Sequence, residues 1–341
     1  MAAPAAPETA GRPATRNCGR GPSGVCSWAV NPSIAVVGAG AVGGYYGAVL
    51  ARTGDDVRFL LRRDLAHVRA HGLRVRQPPQ GEFLLPHARA FGATAEIGPV
   101  DLVIVGVKAT ANDLLPDLVR PLLHARTALL LLQNGLGGDA FLARHFGPER
   151  VIGGLCFVCL NRTGAGEITC TLPGYLALGE FGGPPTGRLR ALAARFERSG
   201  VRTEIAENLD EARWRKLVWN VPFNGLTIAA GGVTTDVIMR DPELRAEARA
   251  LMEEIITAAA RLGYGIPPEF LEQQLAITAG MGAYRPSSLI DWQDGREVEV
   301  EAIWGEPWRR ARAAGADLPR LGRLYDRLKS LTAERKASSP R

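Results

Sequence analysis

The sequence has 341 residues, of which 46% are hydrophobic and 22% are charged, and its formal net charge is +6. This length suits two domains, and this balance of apolar and charged residues is typical of a globular protein with a sizeable core. The basic residues are spread among acidic ones without a basic block, so the charge does not indicate nucleic-acid binding. The unbroken apolar stretches of the sequence, such as 128–132, are far too short to span a membrane.

Residues 1–30 consist largely of Ala, Pro, Gly and Arg and lack the apolar core of a signal peptide. We therefore expect residues 1–30 to form a disordered extension, and we expect the folded protein to be soluble and cytoplasmic. We expect neither a membrane nor a nucleic acid as its partner. The sequence leaves open whether the protein is a monomer or a homodimer.

The chain contains five cysteines, an odd number without the spacing of a disulfide framework. Cys156 and Cys159 have the spacing of half a zinc site, but no second pair follows and the five histidines are scattered. We therefore predict buried, free thiols and no metal site. The cysteines are Cys18, Cys26, Cys156, Cys159 and Cys170.

The first predicted element is a short, β-rich strand at 33–38. It runs into a glycine-rich segment at 38–47 that opens with a turn, and an Ala/Leu-rich helix then ends near 53–54. A second strand follows at 57–61. This alternation of strand and helix continues, and it predicts the α/β fold class with an N-terminal Rossmann-type, doubly wound sheet over residues 31–205. The further predicted strands are 101–107, 127–133, 151–160 and 168–179, with a helix around 111–124.

After residue 205 the pattern becomes helical, which predicts a C-terminal all-helical domain over 206–333 and a tail at 334–341. Asn208 and Glu211 have the spacing of a capping box, and Asp241 followed by Pro242 is typical of a helix start. We expect Pro222 to disturb the first of these helices near 218–222. The predicted helices cover 208–221, 241–262, 268–281, 298–315 and 318–333.

The glycine-rich turn reads Gly38-Ala39-Gly40-Ala41-Val42-Gly43 and has a strand directly before it and a helix directly after it. This is the context that the GxGxxG turn of dinucleotide-binding proteins requires. Gly38 allows the tight turn, Gly40 lets the backbone approach a pyrophosphate, and Gly43 permits close packing of helix on strand. The alternative is a glycine-rich turn that binds no ligand.

The end of the second strand distinguishes the two nicotinamide cofactors, because an acid there binds the ribose of NAD and a cation binds the 2′-phosphate of NADP. The chain has Arg62 and Arg63 at this place, with Asp64 one residue further on. Two guanidinium groups suit a dianionic phosphate, so we predict NADP (NADPH). The alternative is that both arginines are solvated surface residues.

Four of the 41 basic residues are lysines, and Lys108 and Lys216 fall inside motifs. A lysine can give up a proton near neutral pH, which an arginine cannot. Lys216, Asn220 and Asn224 are spaced i, i+4 and i+8, so they share one face of a predicted helix within an apolar segment. A proton donor beside two amides is what the reduction of a ketone requires. The alternative is a solvated helix face.

The segment Trp214-Arg215-Lys216-Leu217-x-x-Asn220-x-x-x-Asn224 resembles a motif of the ketopantoate reductase (2-dehydropantoate 2-reductase) family, and the resemblance covers about residues 33–330. The other motifs agree in order and spacing. The resemblance implies an enzyme that reduces 2-dehydropantoate to pantoate with NADPH, a step towards pantothenate and coenzyme A. The further motifs are Val107-Lys108-Ala109, Gln133-Asn134-Gly135-Leu136-Gly137 and Gly295-Arg296-Glu297-Val298-Glu299, beside the glycine-rich turn.

The resemblance also implies the roles of individual residues. Lys216 is the implied general acid, and Glu299 is the implied carboxylate that orients the lysine and the substrate hydroxyl. The implied substrate-binding residues are Asn134, Asn220, Asn224 and Ser288. The implied cofactor-binding residues are Gly38, Ala39, Gly40, Ala41, Val42, Gly43, Arg62, Lys108 and Asn134.

Each of these polar residues also has a structural interpretation. Asn134 suits a turn, Ser288 suits a helix cap, and Lys108 suits a strand end whose side chain reaches solvent. Glu299 has acidic neighbours and suits a solvated face.

The chain departs from the family pattern in the spacer 289–294, at Glu301, at Trp304 and over Cys156–Cys159. Two alternatives to ketopantoate reduction therefore stay open. One is a reductase of the same fold that acts on another 2-oxo acid, and the other is a non-catalytic NADP-binding sensor.

Overall fold

The structure is a computed structural model that describes residues 31–79 and 81–338. The predicted extension at 1–30 lies outside these residues. The described residues form a sheet domain followed by a helical domain, which confirms the predicted fold class. The strands are β1 (Ser33–Val37), β2 (Asp56–Leu60), β3 (Leu73–Gln77), β4 (Gly81–Leu85), β5 (Arg89–Phe91), β6 (Leu102–Val105), β7 (Ala128–Leu131), β8 (Val151–Gly164), β9 (Glu167–Glu180) and β10 (Thr203–Ile205).

These strands form one sheet in the order β4-β3-β9-β8-β7-β6-β1-β2-β5, with β10 beside β9. Strands β5, β2, β1, β6, β7 and β8 pair in parallel, whereas β8 and β9 form an antiparallel hairpin. Strand β1 pairs with β2 on one side and with β6 on the other, so the winding of the chain reverses at β1. In open α/β sheets, ligands bind in the crevice beyond the carboxyl end of such a strand.

Helices of the first domain cover both faces of the sheet, and the helices of the second domain pack on one another. The predicted division at 205–206 falls between β10 and the first long helix of the second domain. The helices are α1 (Ala41–Arg52), α2 (Leu65–His71), α3 (Thr94–Ile97), α4 (Leu115–Val119), α5 (Gly138–Phe146), α6 (Gly187–Arg198), α7 (Leu209–Ala229), α8 (Thr235–Arg240), α9 (Pro242–Arg261), α10 (Glu269–Ala279), α11 (Ser287–Gln293), α12 (Glu306–Ala313) and α13 (Pro319–Ser338).

Strand β1 shows how the sequence creates two cores. Its side chains alternate between the two faces of the sheet, as they do in any strand. Ile34 and Val36 pack in the core on the face covered by α1 and α6, and Ala35 and Val37 pack in the core on the opposite face. Because both faces are covered, the strand reads as a continuous apolar run.

Two predicted helices have a different form in the structure. The segment predicted as a helix around 111–124 is a 3-10 turn, the short helix α4 and a second 3-10 turn, because Pro116 and Pro121 remove backbone donors. The segment predicted as one helix over 298–315 is a π-helical turn over Glu301–Gly305 followed by α12.

Helix α7 differs from the prediction at Pro222. The helix runs through this residue without interruption to Ala229, although a proline removes one intrahelical hydrogen bond. Its residues around Pro222 are buried, and the Trp304 indole donates a hydrogen bond to the Val221 carbonyl at 3.0 Å. Packing on all sides therefore holds the helix together where the sequence favours a break. The helix starts of α7 and α9 are as predicted, since Asn208 and Asp241 cap them.

A buried ion pair joins the helical domain to the sheet domain. Arg213 of α7 and Asp139 of α5 are each 4% exposed, and an Nη atom of Arg213 lies 2.8 Å from the Asp139 carboxylate. Arg213 also donates to the Gln133 carbonyl at 3.1 Å. Beside this pair, the Leu136 amide donates to the Ala302 carbonyl of the π-helical turn at 2.9 Å. These contacts fix the loop after β7 against the helical domain.

We expect Arg213→Met to lower the free energy of unfolding by about 3–5 kcal/mol, because the change leaves the Asp139 carboxylate buried without its partner. The double variant Arg213→Met/Asp139→Leu removes both charges, and it should recover a large part of that loss. Urea unfolding of the three proteins measures the effect. A double variant no more stable than the single one would show that the unpaired charge is not the cause.

Candidate active site

The glycine-rich turn lies at the crevice beyond β1. Gly38 has φ +89°, and a Cβ atom there would lie 2.3 Å from the Val107 amide nitrogen. A Cβ atom on Gly43 would lie 2.4 Å from the Gly38 carbonyl oxygen. A Cβ atom on Gly40, in contrast, would meet nothing within 4 Å. Two glycines are therefore required by the fold, whereas Gly40 borders open space in which a ligand can approach the backbone.

Helix α1 begins directly after Gly40, and Ala41 and Val42 belong to its first turn. No side chain caps this end, and the first turn contains no acidic residue. The first amides of a helix lack intrahelical acceptors, and the helix dipole is positive there. Residues 38–43, which include Ala39, are therefore suited to bind the pyrophosphate of a dinucleotide.

The residues after β2 divide into two groups. Arg62 and Arg63 are exposed, and neither guanidinium has an ion pair or hydrogen bond within the described residues. Asp64 is buried, and its carboxylate binds Arg162 at 2.5 Å and the Gly166 amide at 3.3 Å. The acid that could bind the ribose of NAD is thus held by the β8–β9 hairpin, while both cations remain available.

The Lys216 ammonium lies where three elements meet. It is carried by α7, and its Nζ donates to Asn134 Oδ1 at 2.9 Å, in the loop after β7. It also donates to the Cys156 carbonyl of β8 at 2.8 Å. The interpretation of Lys216 as part of a solvated helix face therefore fails, because its amine is engaged between the domains.

The surroundings of Lys216 make it a weaker base than an ordinary lysine. Burial lowers the pKa of Lys216 to about 8, and the Arg213 guanidinium acts in the same direction. The Glu299 carboxylate opposes this shift. An amine with this pKa is largely charged at neutral pH and can still give up a proton, which suits a general acid.

Glu299 is buried beside the loop that follows β6. Its Oε1 atom accepts a hydrogen bond from the Ala109 amide at 2.7 Å. Burial raises the pKa of Glu299, whereas the Ala109 amide and the Lys108 ammonium lower it. Glu299 is therefore not part of a solvated acidic face, and the structure brings it into electrostatic contact with Lys216.

Lys108 of the sheet domain forms an ion pair with a residue of the helical domain. Its Nζ lies 2.5 Å from an oxygen of Asp291 in α11, and the other oxygen of Asp291 accepts from Arg296 at 2.9 Å. The sequence motifs do not indicate a role for Asp291, which lies in the spacer between the serines and Glu299. An acid three residues after Ser288 on a short helix is a signal that could have drawn attention to it.

The two asparagines of α7 are buried on the same helix as Lys216. Asn224 Oδ1 accepts a hydrogen bond from the Ser288 amide at 3.1 Å, and both residues are 3% exposed. Asn220 is 7% exposed, and in the part of the chain described here its side chain has no hydrogen-bond partner. The neighbouring Ser287 is exposed. Because no group of the described residues occupies the Asn220 amide, this side chain is suited to bind a ligand.

Comparisons with known proteins identify the family of this chain. A family model described as ketopantoate reductase PanE/ApbA matches residues 34–183, and its C-terminal counterpart matches residues 208–332. A 2-dehydropantoate 2-reductase of Nostoc sp. is 39% identical over 302 residues, which cover 87% of this chain and 94% of that protein. The chain belongs to the ketopantoate reductase family.

Solved structures show the same relationship. The 2-dehydropantoate 2-reductase of Geobacter metallireducens is 43% identical, with a TM-score of 0.85, and the match covers 87% of this chain and 99% of that one. A structure of D-mandelate dehydrogenase with NADH and anilino(oxo)acetate has a TM-score of 0.79 at 21% identity, over 89% of this chain and 99% of that one, which shows a shared fold alone. Ketopantoate reductases are oxidoreductases, so the predicted enzyme class is confirmed.

A cleft of about 860 Å³ borders Glu299 and is lined by parts of α5, α12 and α13, but not by Lys216. Within the described ranges, no helix is both long and apolar enough to cross a membrane.

The glycine-rich turn allows a matched pair of substitutions. We expect Gly40→Ala to keep the unfolding midpoint of the wild type, because Gly40 has φ −76°, which alanine adopts, and its Cβ atom would meet open space. The same methyl group should hinder a dinucleotide and weaken its binding at least about tenfold, or about 1.4 kcal/mol. Calorimetric titration with NADPH measures the binding.

Gly43→Ala is the control for this pair. Its methyl group meets the Gly38 carbonyl, so this variant should lose stability even without a ligand. Unchanged NADPH binding by Gly40→Ala would place the cofactor elsewhere.

Proposed function

We propose that this protein reduces the ketone of 2-dehydropantoate to the alcohol of pantoate with NADPH, a step towards pantothenate and coenzyme A. The observation that carries the proposal is the Lys216 ammonium, which Asn134 and the Cys156 carbonyl hold between the two domains. Its lowered pKa of about 8 suits a group that donates a proton. The relatives of this chain named 2-dehydropantoate 2-reductase support the choice of substrate.

The cofactor fits the residues that are present. The open space at Gly40 and the uncapped start of α1 would hold the pyrophosphate, and Arg62 would bind the 2′-phosphate. When bound, NADPH supplies the hydride that reduces the ketone carbon. Lys108 lies at the end of the loop after β6 and would contact the cofactor from there.

The protein's own residues supply the proton and the orientation. Lys216 donates the proton from Nζ to the substrate oxygen as negative charge develops there. Asn134 orients the ammonium, since its Oδ1 accepts one of the Nζ hydrogens. Glu299 orients the substrate hydroxyl and stabilises the charged lysine. Because burial raises the pKa of Glu299, this group is also suited to return a proton to the lysine.

The buried amides would bind the substrate. In Asn224 the Oδ1 atom is already occupied by the Ser288 amide, so its NH₂ group is left to donate to the substrate carboxylate or hydroxyl. Asn220 has both its donor and its acceptor available within the described residues. Ser288 has a buried hydroxyl at the start of α11, which we propose as a further ligand of the substrate.

One observation favours a second candidate, a reductase of another 2-oxo acid. Phe157 and Tyr175 stack with ring centroids 4.3 Å apart, and the Phe157 ring lies 5.0 Å from Lys216 Nζ. An aromatic wall beside the proton donor suits a substrate with an apolar side chain.

A substrate panel tests the function. The purified enzyme with NADPH should turn over 2-dehydropantoate faster than pyruvate, 2-oxoisovalerate or phenylglyoxylate, as followed by NADPH absorbance. Lys216→Ala should lower kcat by about 10²–10⁴-fold, because it removes the proton donor.

The outcomes of the panel are distinct. Preference for phenylglyoxylate would favour the second candidate. Tight NADPH binding without turnover of any acid would favour a sensor. Near-normal turnover by Lys216→Ala would remove Lys216 from the mechanism.

Cofactor preference has its own test in Arg62. Arg62→Gln should raise the KM for NADPH about 10–100-fold and leave the KM for NADH unchanged, because the lost charge-assisted hydrogen bonds reach the 2′-phosphate alone. Arg63→Gln is the matched control and should have a smaller effect. Equal losses with NADPH and NADH would show that Arg62 does not read the 2′-phosphate.

A further inference from the structure

An aromatic stack extends from the proton donor to the edge of the β8–β9 hairpin. Phe157 of β8 and Tyr175 of β9 are paired across the antiparallel ladder, and their rings lie 9° from parallel. Lys216 Nζ lies over the Phe157 ring at 5.0 Å from its centroid. The Arg202 guanidinium lies over the Tyr175 ring at 5.3 Å. Two cations and two rings thus form one continuous column.

The Phe157 ring distinguishes the two protonation states of Lys216. The face of an aromatic ring carries negative charge density, so it attracts an ammonium and has little attraction for a neutral amine. The two protein acceptors of Nζ, Asn134 Oδ1 and the Cys156 carbonyl, leave one ammonium hydrogen for other contacts. Burial of the amine has the opposite effect, because it disfavours the charged state.

We propose that the Phe157 ring, supported by Tyr175, stabilises the ammonium form of Lys216 and so keeps the proton donor charged at the pH where the enzyme works. The inference rests on the proposed function in one respect, which is the role of Lys216 as the proton donor. The contact between the ring and the amine is independent of any reaction. Phe157 acts through Lys216 and is therefore a positioning residue.

The other groups around the amine do not replace the ring. Arg213, on the same helix, repels the ammonium, and Glu299 attracts it from the segment before the π-helical turn. Burial raises the pKa of Cys156, so this thiol is neutral at working pH. Burial likewise raises the pKa of Tyr175, which leaves its ring without a full charge. Phe157 and Glu299 thus favour the charged lysine beside its two hydrogen-bond acceptors, Asn134 Oδ1 and the Cys156 carbonyl.

The small number of lysines allows a direct measurement. The chain contains four, so protein labelled with ¹³C-lysine gives four Cε signals, and the Lys216 signal is the one absent from Lys216→Arg. We expect the titration midpoint of Lys216 to fall by about 0.5–1.5 pH units in Phe157→Leu, because the contact with the ring is lost. Phe157→Tyr retains an aromatic face and should titrate like the wild type.

A second pair of variants guards against misfolding. Pentafluorophenylalanine placed at Phe157 keeps the shape of the ring and reverses its charge distribution, so it should lower the Lys216 midpoint without a change in packing. Phe83→Leu removes a ring that lies under Arg52, far from the site in sequence, and should leave the Lys216 midpoint unchanged. An unchanged midpoint in both Phe157→Leu and the fluorinated protein would overturn the proposal.

The pH profile of kcat/KM connects the titration to activity. In the wild type the rate of reduction should fall as the pH rises through about 8, because Lys216 then loses its proton. In Phe157→Leu this fall should occur at lower pH by the same 0.5–1.5 units or so, with nearly equal rates near pH 6. A shifted Lys216 midpoint in a protein that reduces no 2-oxo acid would support the ring contact and contradict the proposed function. An unshifted profile with full activity would contradict the ring contact alone.

Discussion

The site depends on the two hydrogen bonds that Lys216 Nζ donates to Asn134 and to the Cys156 carbonyl. These acceptors belong to the sheet domain, and the lysine belongs to the helical domain. The Lys216 ammonium is therefore held in place when the two domains are packed together, and Arg213 and Asp139 hold them in this arrangement. The buried ion pair is weak support for stability in general, but it fixes the loop whose asparagine orients the amine.

Burial at the junction changes Lys216 and Glu299 in opposite directions. It disfavours charge on both groups, so the pKa of the amine falls and the pKa of the carboxyl rises. Their mutual attraction opposes both shifts, because each charge stabilises the other. Two groups whose proton affinities are brought closer together can exchange a proton at small cost, which suits the role that we propose for Lys216.

The sequence predicted the parts of the site that depend on local spacing. The face formed by Lys216, Asn220 and Asn224 follows from helical periodicity, and the glycine turn follows from its strand and helix. Asp291 and the engagement of Asp64 by the hairpin depend on contacts between distant segments, which no local pattern reveals. The continuous helix through Pro222 is a case in which packing overrides the preference of a single residue.

The departure of the chain from its family over Cys156–Cys159 is explained by which atoms the site uses. Strand β8 contributes the backbone carbonyl of Cys156 to Lys216, and any residue provides that carbonyl. The hydrogen bond of Lys216 thus goes to the Cys156 carbonyl and not to the Cys156 thiol. Side chains of this strand can therefore change without loss of the acceptor that holds the Lys216 ammonium.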